Sequence, residues 1–298
     1  MKASIIGCNG YIGKHLSFFL TSKGWDIYGY DIFELGEFEN MNYQQIDIKK
    51  RDDLARINTD VDFVFYFSGI TGTSKAFNDF DLFIDVNEKG LLNILNKIRL
   101  SNSKARIIFP STRLIYKGFL NKQLNEDSEK EFSSIYALNK WFGEQVVQQF
   151  SKYFNLEFSI FRIGVPYGNL LSGDYSYGTV GSFINKANSK EDIILYGDGL
   201  QKRTFTHIQD LCSQIFSVIL NPKSINEIYN VDGETLSIKD IAEEVAEKYG
   251  VNVKYINWPE IDLKMESGDT IFDSKKIKSI LNDPIDFDFK NWIHKLEI

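Results

Sequence analysis

Lys2-Ala-Ser-Ile-Ile-Gly7-Cys-Asn-Gly10-Tyr-Ile-Gly13-Lys-His-Leu-Ser-Phe-Phe-Leu20 decides the fold of this chain. An apolar run enters three glycines spaced Gly-x-x-Gly-x-x-Gly, and a helical apolar pattern leaves them, which predicts strand, tight turn and helix. Glycines at such a turn let the backbone approach a pyrophosphate held at the helix N-terminus. Gly7, Gly10, Tyr11, Ile12 and Gly13 are therefore candidate cofactor-binding residues. Position 8 is Cys, so the spacing is not Gly-x-Gly-x-x-Gly, and a plain strand-to-helix turn is the competing reading. Cys8 is read as a small side chain filling that turn rather than as a redox centre.

The same alternation runs outward. Apolar runs at Ala3–Ile6, Ile27–Tyr30, Val61–Phe67, Arg106–Phe109 and Phe158–Ile163 alternate with helical patterns over 12–22, 79–99 and 134–153. Runs such as Val61-Asp-Phe-Val-Phe-Tyr-Phe67 are apolar on both faces, as strands covered by helices on two sides must be. The fold class expected is α/β: a Rossmann-like doubly wound parallel sheet with a smaller C-terminal substrate-binding lobe. Gly, Tyr, Ser and Asp crowd Pro166–Gly181, so the NAD-binding domain is placed at 1–165, with room for later returns of the chain, and the lobe mainly at 166–298. Helices are expected there at 179–189, 208–220, 237–249 and 274–281.

Composition bounds the function. A chain of 298 residues with 43% hydrophobic and 25% charged residues is long and apolar enough to bury a full core. The formal charge of −7, with no Lys/Arg-rich run, lacks the basic footprint of a nucleic-acid partner. No stretch approaches 18 apolar residues and the start enters a strand at once, so no membrane partner and a cytoplasmic location are expected. Two cysteines and three scattered histidines show no metal-ligand spacing and no disulfide framework, and no metal is expected.

Two further placements carry chemistry. Asp31 ends the second strand, where a carboxylate accepts bonds from an adenosine 2′-hydroxyl and repels a 2′-phosphate, which favours NAD over NADP. Asp47 and Ile48, after the next short strand, are candidates to flank the adenine. In Ser134-Ile-Tyr136-Ala-Leu-Asn-Lys140, a four-residue step on a helix puts phenol and ammonium on one face, where the ammonium favours phenolate.

With Phe67-Ser-Gly69, Pro110-Ser-Thr112-Arg-Leu-Ile-Tyr116, Tyr196-Gly-Asp-Gly-Leu-Gln-Lys-Arg203 and Ile228-Tyr-Asn-Val-Asp-Gly233 in the same order, the chain resembles an extended short-chain dehydrogenase/reductase of the nucleotide-sugar epimerase/dehydratase family. The resemblance covers nearly the whole chain. It implies that Tyr136 exchanges the proton of a sugar hydroxyl, that Lys140 lowers the phenol pKa and holds the nicotinamide ribose, and that Thr112 donates to the reacting oxygen, with Ser111 as its neighbour to test second. It places Phe67, Ser68, Gly69, Thr71 and Asn87 beside the cofactor. Arg113 and Val165 are expected at the substrate, and Arg203 on its diphosphate. His207 is read as structural, and Lys202 as a surface charge.

Three departures narrow the chemistry. Val165 stands where the family often carries Asn. The late arginine before Gly-Asp is missing from Lys264-Met-Glu-Ser-Gly268-Asp269, leaving Lys264 as a substitute phosphate contact. Arg113-Leu114 replace the Asp-Glu pair that dehydratases use to eliminate water, so dehydration is disfavoured. The resemblance then implies an NAD-dependent 4-epimerase of a nucleotide-diphosphate sugar acting through a transient 4-keto sugar. A nucleotide-4-keto-6-deoxysugar reductase is the first alternative, and a catalytically silent NAD-binding regulatory protein is the alternative of another class. A homodimer paired through helices near 79–99 and 133–153, and a place in bacterial surface-polysaccharide synthesis, are also implied.

Overall fold

The computed structural model describes residues 1–36, 41–171, 177–281 and 286–297. Two compact units divide the chain. One comprises 1–115, 134–162 and 218–229, the other 116–133, 163–217 and 230–298. The segment 116–133 thus falls in the second unit ahead of residue 165, and 218–229 returns to the first.

The first unit is built on a seven-stranded sheet of β1 (Lys2–Ile6), β2 (Asp26–Asp31), β3 (Asn42–Gln45), β4 (Phe63–Tyr66), β5 (Arg106–Thr112), β6 (Phe158–Ile163) and β7 (Glu227–Asn230). Their spatial order is β7-β6-β5-β4-β1-β2-β3, and the pairs β1–β2, β2–β3, β1–β4 and β4–β5 are parallel. Order reverses between β1 and β4, which opens a crevice at the carboxyl ends of the strands. β4, β5 and β6 are buried at every position, which is why their sequences read as continuous apolar runs. The seventh strand is the return of the chain at 218–229.

Helices α1 (Tyr11–Ser22), α2 (Gly90–Leu100) and α3 (Ile135–Phe154) cover the sheet. α3 starts at Ser134, whose Oγ accepts from the Ala137 N–H at 3.2 Å, and stops at Asn155, left-handed at φ 56°. Leu91, Ile94, Leu95 and Ile98 of α2 and Val147 of α3 enter one core with Val64, Tyr66, Ile107 and Phe109. Each such side chain contributes roughly 1.5–3 kcal/mol by leaving water. The helix expected over 79–99 is not uniform. A short α turn at Phe80–Phe83 passes into a π-helical segment at Ile84–Lys89 before α2 begins.

In the second unit, Lys202–His207 pairs antiparallel with Glu234–Ser237 and parallel with Val165–Tyr167, and Ile193–Tyr196 pairs parallel with Val253–Ile256. Helices Gly178–Asn188, Ile238–Tyr249 and Phe289–Lys295 enclose a core including Phe183, Leu195, Phe205, Val245 and Ile293. Ile238–Tyr249 opens with a reciprocal cap, Ser237 Oγ accepting from Asp240 N–H at 3.0 Å and Asp240 Oδ2 from Ser237 N–H at 2.8 Å. The helix expected at 274–281 is one turn, Lys275–Lys278. Of the stretch Pro166–Gly181, residues 172–176 lie outside the described residues. Among the described residues no helix is long and apolar enough to cross a membrane.

α3 approaches β5 through Gly143, where an added Cβ would press into the Phe109 ring, 3.0 Å from Cε2 and nearer still to Cζ. Gly143→Ala therefore overpacks that contact and is expected to lower stability by about 1–3 kcal/mol. The urea midpoint should fall at unchanged slope, and an unchanged midpoint would show that the helix yields freely.

Candidate active site

The glycine loop is closed on itself. Gly7 adopts φ +87°, donates to Tyr30 O at 2.7 Å, and a Cβ there would lie 2.6 Å from Phe67 C. A Cβ on Gly13 would overlap the Gly7 carbonyl, so neither position accepts a side chain. Gly10 caps α1 without any side-chain acceptor, and Tyr11 and Ile12 open the helix half-buried. The first-turn N–H groups and the positive end of the helix dipole suit an anion. Cys8 is fully buried, as a turn-filling side chain requires.

Asp31 is tied to this loop. Its Oδ2 accepts from Asn9 N–H at 3.0 Å and its Oδ1 from Ile32 N–H at 2.8 Å. Asn9 thus couples the carboxylate to the glycines, a role its sequence position between Gly7 and Gly10 hinted at but its residue type did not. Ile48 is buried in the core beneath Gly90, whereas Asp47 is half-buried and its Oδ1 accepts from Lys49 N–H at 3.0 Å.

The loop after β4 is held by the π-helical segment. Asn87 accepts from Ile70 N–H at 2.8 Å and donates back to Ile70 O at 3.0 Å, while reaching Asn139 Oδ1 at 3.4 Å. Asn139 in turn donates to Glu88 Oε1 at 2.6 Å. Phe67 and Ser68 are half-buried, and Gly69 and Thr71 exposed. A Cβ on Gly69 would stand 3.2 Å from Asn87 Oδ1 and 3.9 Å from Lys140 Nζ, so these three positions converge.

Lys140 Nζ donates to Pro110 O at 2.8 Å and lies 6.0 Å from the centre of the Tyr136 ring. Burial pushes its pKa down to about 8, and the Glu144 carboxylate opposes that shift. Glu144 is itself fully buried and grips Arg162 with both oxygens, at 2.9 and 2.7 Å. Its place four residues beyond Lys140 was the only sequence signal for this role. Thr112 Oγ1 accepts from Leu114 N–H at 3.3 Å, Ser111 Oγ is buried without a hydrogen-bond partner, and Arg113 opens a 3-10 turn.

In the second unit, Val165 is half-buried in its strand, paired with Phe205. Arg203 is 2% exposed, and its guanidinium donates to Lys202 O at 2.9 Å, to Gly268 O and to the carboxylate of Glu266. The fork expected on a diphosphate is thus committed to internal partners, and Glu266 was missed in the sequence. Lys264 points to Glu260 at 2.6 Å instead. Lys202 is half-buried and bonds Asn121. His207 stacks on Phe287 with ring centres 3.9 Å apart, against Tyr167 and Trp292. Glu244, Glu247 and His294 bring metal-ligating atoms within 4.8 Å of one another, with Lys290 already paired to Glu244 at 2.7 Å.

The Lys140 shift has a defined pH signature. Its pKa is lowered from 10.5 on folding, so between about pH 8 and 10.5 the unfolded chain binds the extra proton and stability rises with pH. Against Lys140→Met, which lacks this group, the wild type should gain up to roughly 3 kcal/mol across that window. Paired thermal melts from pH 7 to 10.5 check it, and parallel curves would show that Lys140 is not desolvated.

The model of the NAD dependent epimerase/dehydratase family matches residues 3–232. A CDP-paratose 2-epimerase of Salmonella typhi is 24% identical over 95% of this chain and 94% of its own length. A UDP-glucuronate 4-epimerase of Thermodesulfobacterium geofontis is 27% identical over 93% and 89%. Among solved structures, the Thermus thermophilus UDP-glucose 4-epimerase in complex with NAD superposes with a TM-score of 0.87 at 20% identity, covering 99% of this chain and 97% of that one. A dTDP-glucose 4,6-dehydratase of Streptomyces venezuelae reaches 0.87 at 20% identity over 99% and 95%. These likenesses establish the doubly wound fold.

Proposed function

Because the chain belongs to the NAD dependent epimerase/dehydratase family, we propose that it is an NAD-using nucleotide-sugar oxidoreductase, specifically a 4-epimerase working through a transient 4-keto sugar. The observation that carries this reading is the convergence of Lys140 Nζ, Gly69 and Asn87, with the Tyr136 ring 6.0 Å from the ammonium. When bound, NAD would supply the acceptor and donor of hydride. Gly7, Gly10, Tyr11, Ile12 and Gly13 would hold its pyrophosphate, in a cradle that a single Cβ would fill. Asp31, oriented by Asn9 N–H, supports NAD over NADP, since its carboxylate repels a 2′-phosphate.

The chain's own residues handle the proton. Tyr136, as phenolate, takes the proton of the sugar 4-hydroxyl and returns it after the ketone is reduced from the opposite face. Lys140 favours the phenolate and is itself held by Pro110 O. Thr112 donates to the oxygen on which charge develops. Arg113 and Leu114 offer no carboxyl pair, which counts against dehydration. A 4-ketoreductase is the second reading, favoured by apolar Val165 where a polar substrate contact is expected. Arg203 is assigned to the diphosphate of the substrate.

Phe77, Phe80, Leu82, Leu138, Tyr153 and Phe154 are each more than a third exposed on helices of the first unit. That much exposed apolar surface supports a homodimer. Sedimentation should give twice the monomer mass, and Phe80→Glu with Leu138→Glu should halve it. A monomeric wild type would remove the dimer.

Tyr136→Phe tests the chemistry and the silent alternative together. Turnover should fall by about 10²–10⁴-fold with melting temperature and NAD content unchanged. NMR of UDP-, dTDP-, CDP- and GDP-sugars with NAD or NADPH identifies the substrate. NAD released on denaturing the purified protein, with epimer interconversion, fits the epimerase, whereas net consumption of NADPH identifies a reductase. Undiminished turnover in Tyr136→Phe would exclude the mechanism.

A further inference from the structure

Arg203 and Glu266 form the most enclosed ion pair of the second unit, with side chains 3% and 21% exposed. The two partners are anchored very differently. Arg203 lies in the strand Lys202–His207, and its guanidinium is already oriented by the carbonyls of Lys202 and Gly268. Glu266 follows the helix Glu260–Met265, which buries none of its residues and leaves Ile261 64% and Leu263 55% exposed. Just beyond Glu266 the chain is pinned. Asp269 accepts from Lys202 N–H and Asn121 N–H, both at 2.8 Å, its carbonyl accepts from Phe119 N–H at 3.2 Å, and Thr270 N–H bonds Lys202 O at 3.0 Å. Ser267 and Gly268 lie against Gly118, where an added Cβ would meet Ser267 O and Gly268 C, so the loose part ends at Glu266.

Glu266 Oε1 also accepts from Gly268 N–H at 3.1 Å, but the Lys202 carbonyl, in the strand, aims Arg203 independently of Glu266. What Glu266 does is neutralise the guanidinium and fill the donors that face it. A carboxylate and a phosphate oxygen bind a guanidinium in the same way, through charge-assisted N–H donors. We propose that Glu266 is an affinity-determining residue of the substrate site, an internal anion that a nucleoside diphosphate must displace from Arg203. This rests on the reading of Arg203 as the diphosphate-binding residue. The carboxylate leaves by movement of Glu266 with the exposed helix Glu260–Met265, while Asp269 keeps the strand end in place. Only an anion that outcompetes a tethered carboxylate gains the guanidinium, so neutral or weakly charged sugars are discriminated against.

Calorimetric titration with UDP, dTDP, CDP and GDP tests the proposal on the wild type, Glu266→Gln and Arg203→Lys, each checked by thermal melting. At least one nucleotide should bind Glu266→Gln about tenfold to a hundredfold more tightly than wild type, the ratio of one charge-assisted hydrogen bond freed from competition. The same nucleotide should bind Arg203→Lys more weakly. Equal or weaker binding to Glu266→Gln, with binding lost in Arg203→Lys, overturns the proposal and leaves the nucleotide-sugar reading standing. Unchanged binding in Arg203→Lys, or no binding by any of the four to any variant, overturns the reading of Arg203 and the proposal with it. Should Glu266→Gln not fold, hydrogen exchange of the wild type decides. Saturating nucleotide should speed exchange at 260–266 as the carboxylate is released, and added protection there overturns the proposal.

Discussion

The bond from Lys140 Nζ to the Pro110 carbonyl is the constraint around which the first unit is organised. It crosses from α3 to Pro110, near the carboxyl end of β5. The contact of Phe109 with Gly143, one turn along α3, sets how near the helix comes and so whether the ammonium reaches that carbonyl. Holding a buried cation with a backbone acceptor is costly, and the lowered pKa of Lys140 records that cost. The fold tolerates it because Glu144, on the same helix and itself paired with Arg162 of β6, lends negative charge without being exposed.

Much of this was legible before any coordinate. Gly7, Gly10 and Gly13 announced a strand-turn-helix, since at Gly7 and Gly13 only glycine fits where backbone meets backbone, and the apolar runs of β4 to β6 announced a sheet covered on both faces. Tyr136 and Lys140 declared a shared helix face through their spacing alone. What stayed hidden depended on contacts between residues far apart in the chain. Asn139 lies beside Lys140 in sequence, but its link to Asn87 crosses 52 residues, and Glu266 reaches Arg203 across 63. Pattern reading finds periodicity within an element, and neither pair has any. Which segments return to which unit, 116–133 and 218–229, was obscure for the same reason, since that depends on contacts distant in sequence.

The two units carry their charge in opposite ways. In the first, the Lys140 ammonium is kept from water and a counter-charge sits one helical turn away. In the second, Arg203 is in direct contact with its counter-charge, and the partner is on the less anchored element. The first arrangement leaves the ammonium, among the described residues, with a backbone acceptor alone at contact distance, whereas the second closes the guanidinium with a carboxylate.

The π-helical segment at Ile84–Lys89 has one residue more per turn than the helix around it. Each residue of an α-helix advances about 100°, so the segment turns the following helix out of phase with the preceding one by about that angle. Asn87 faces the loop at Ile70 from within this widened turn, while Leu91, Ile94 and Leu95 keep their own register against the sheet. The address of the asparagine and the packing of the helix are thus written in separate stretches of sequence.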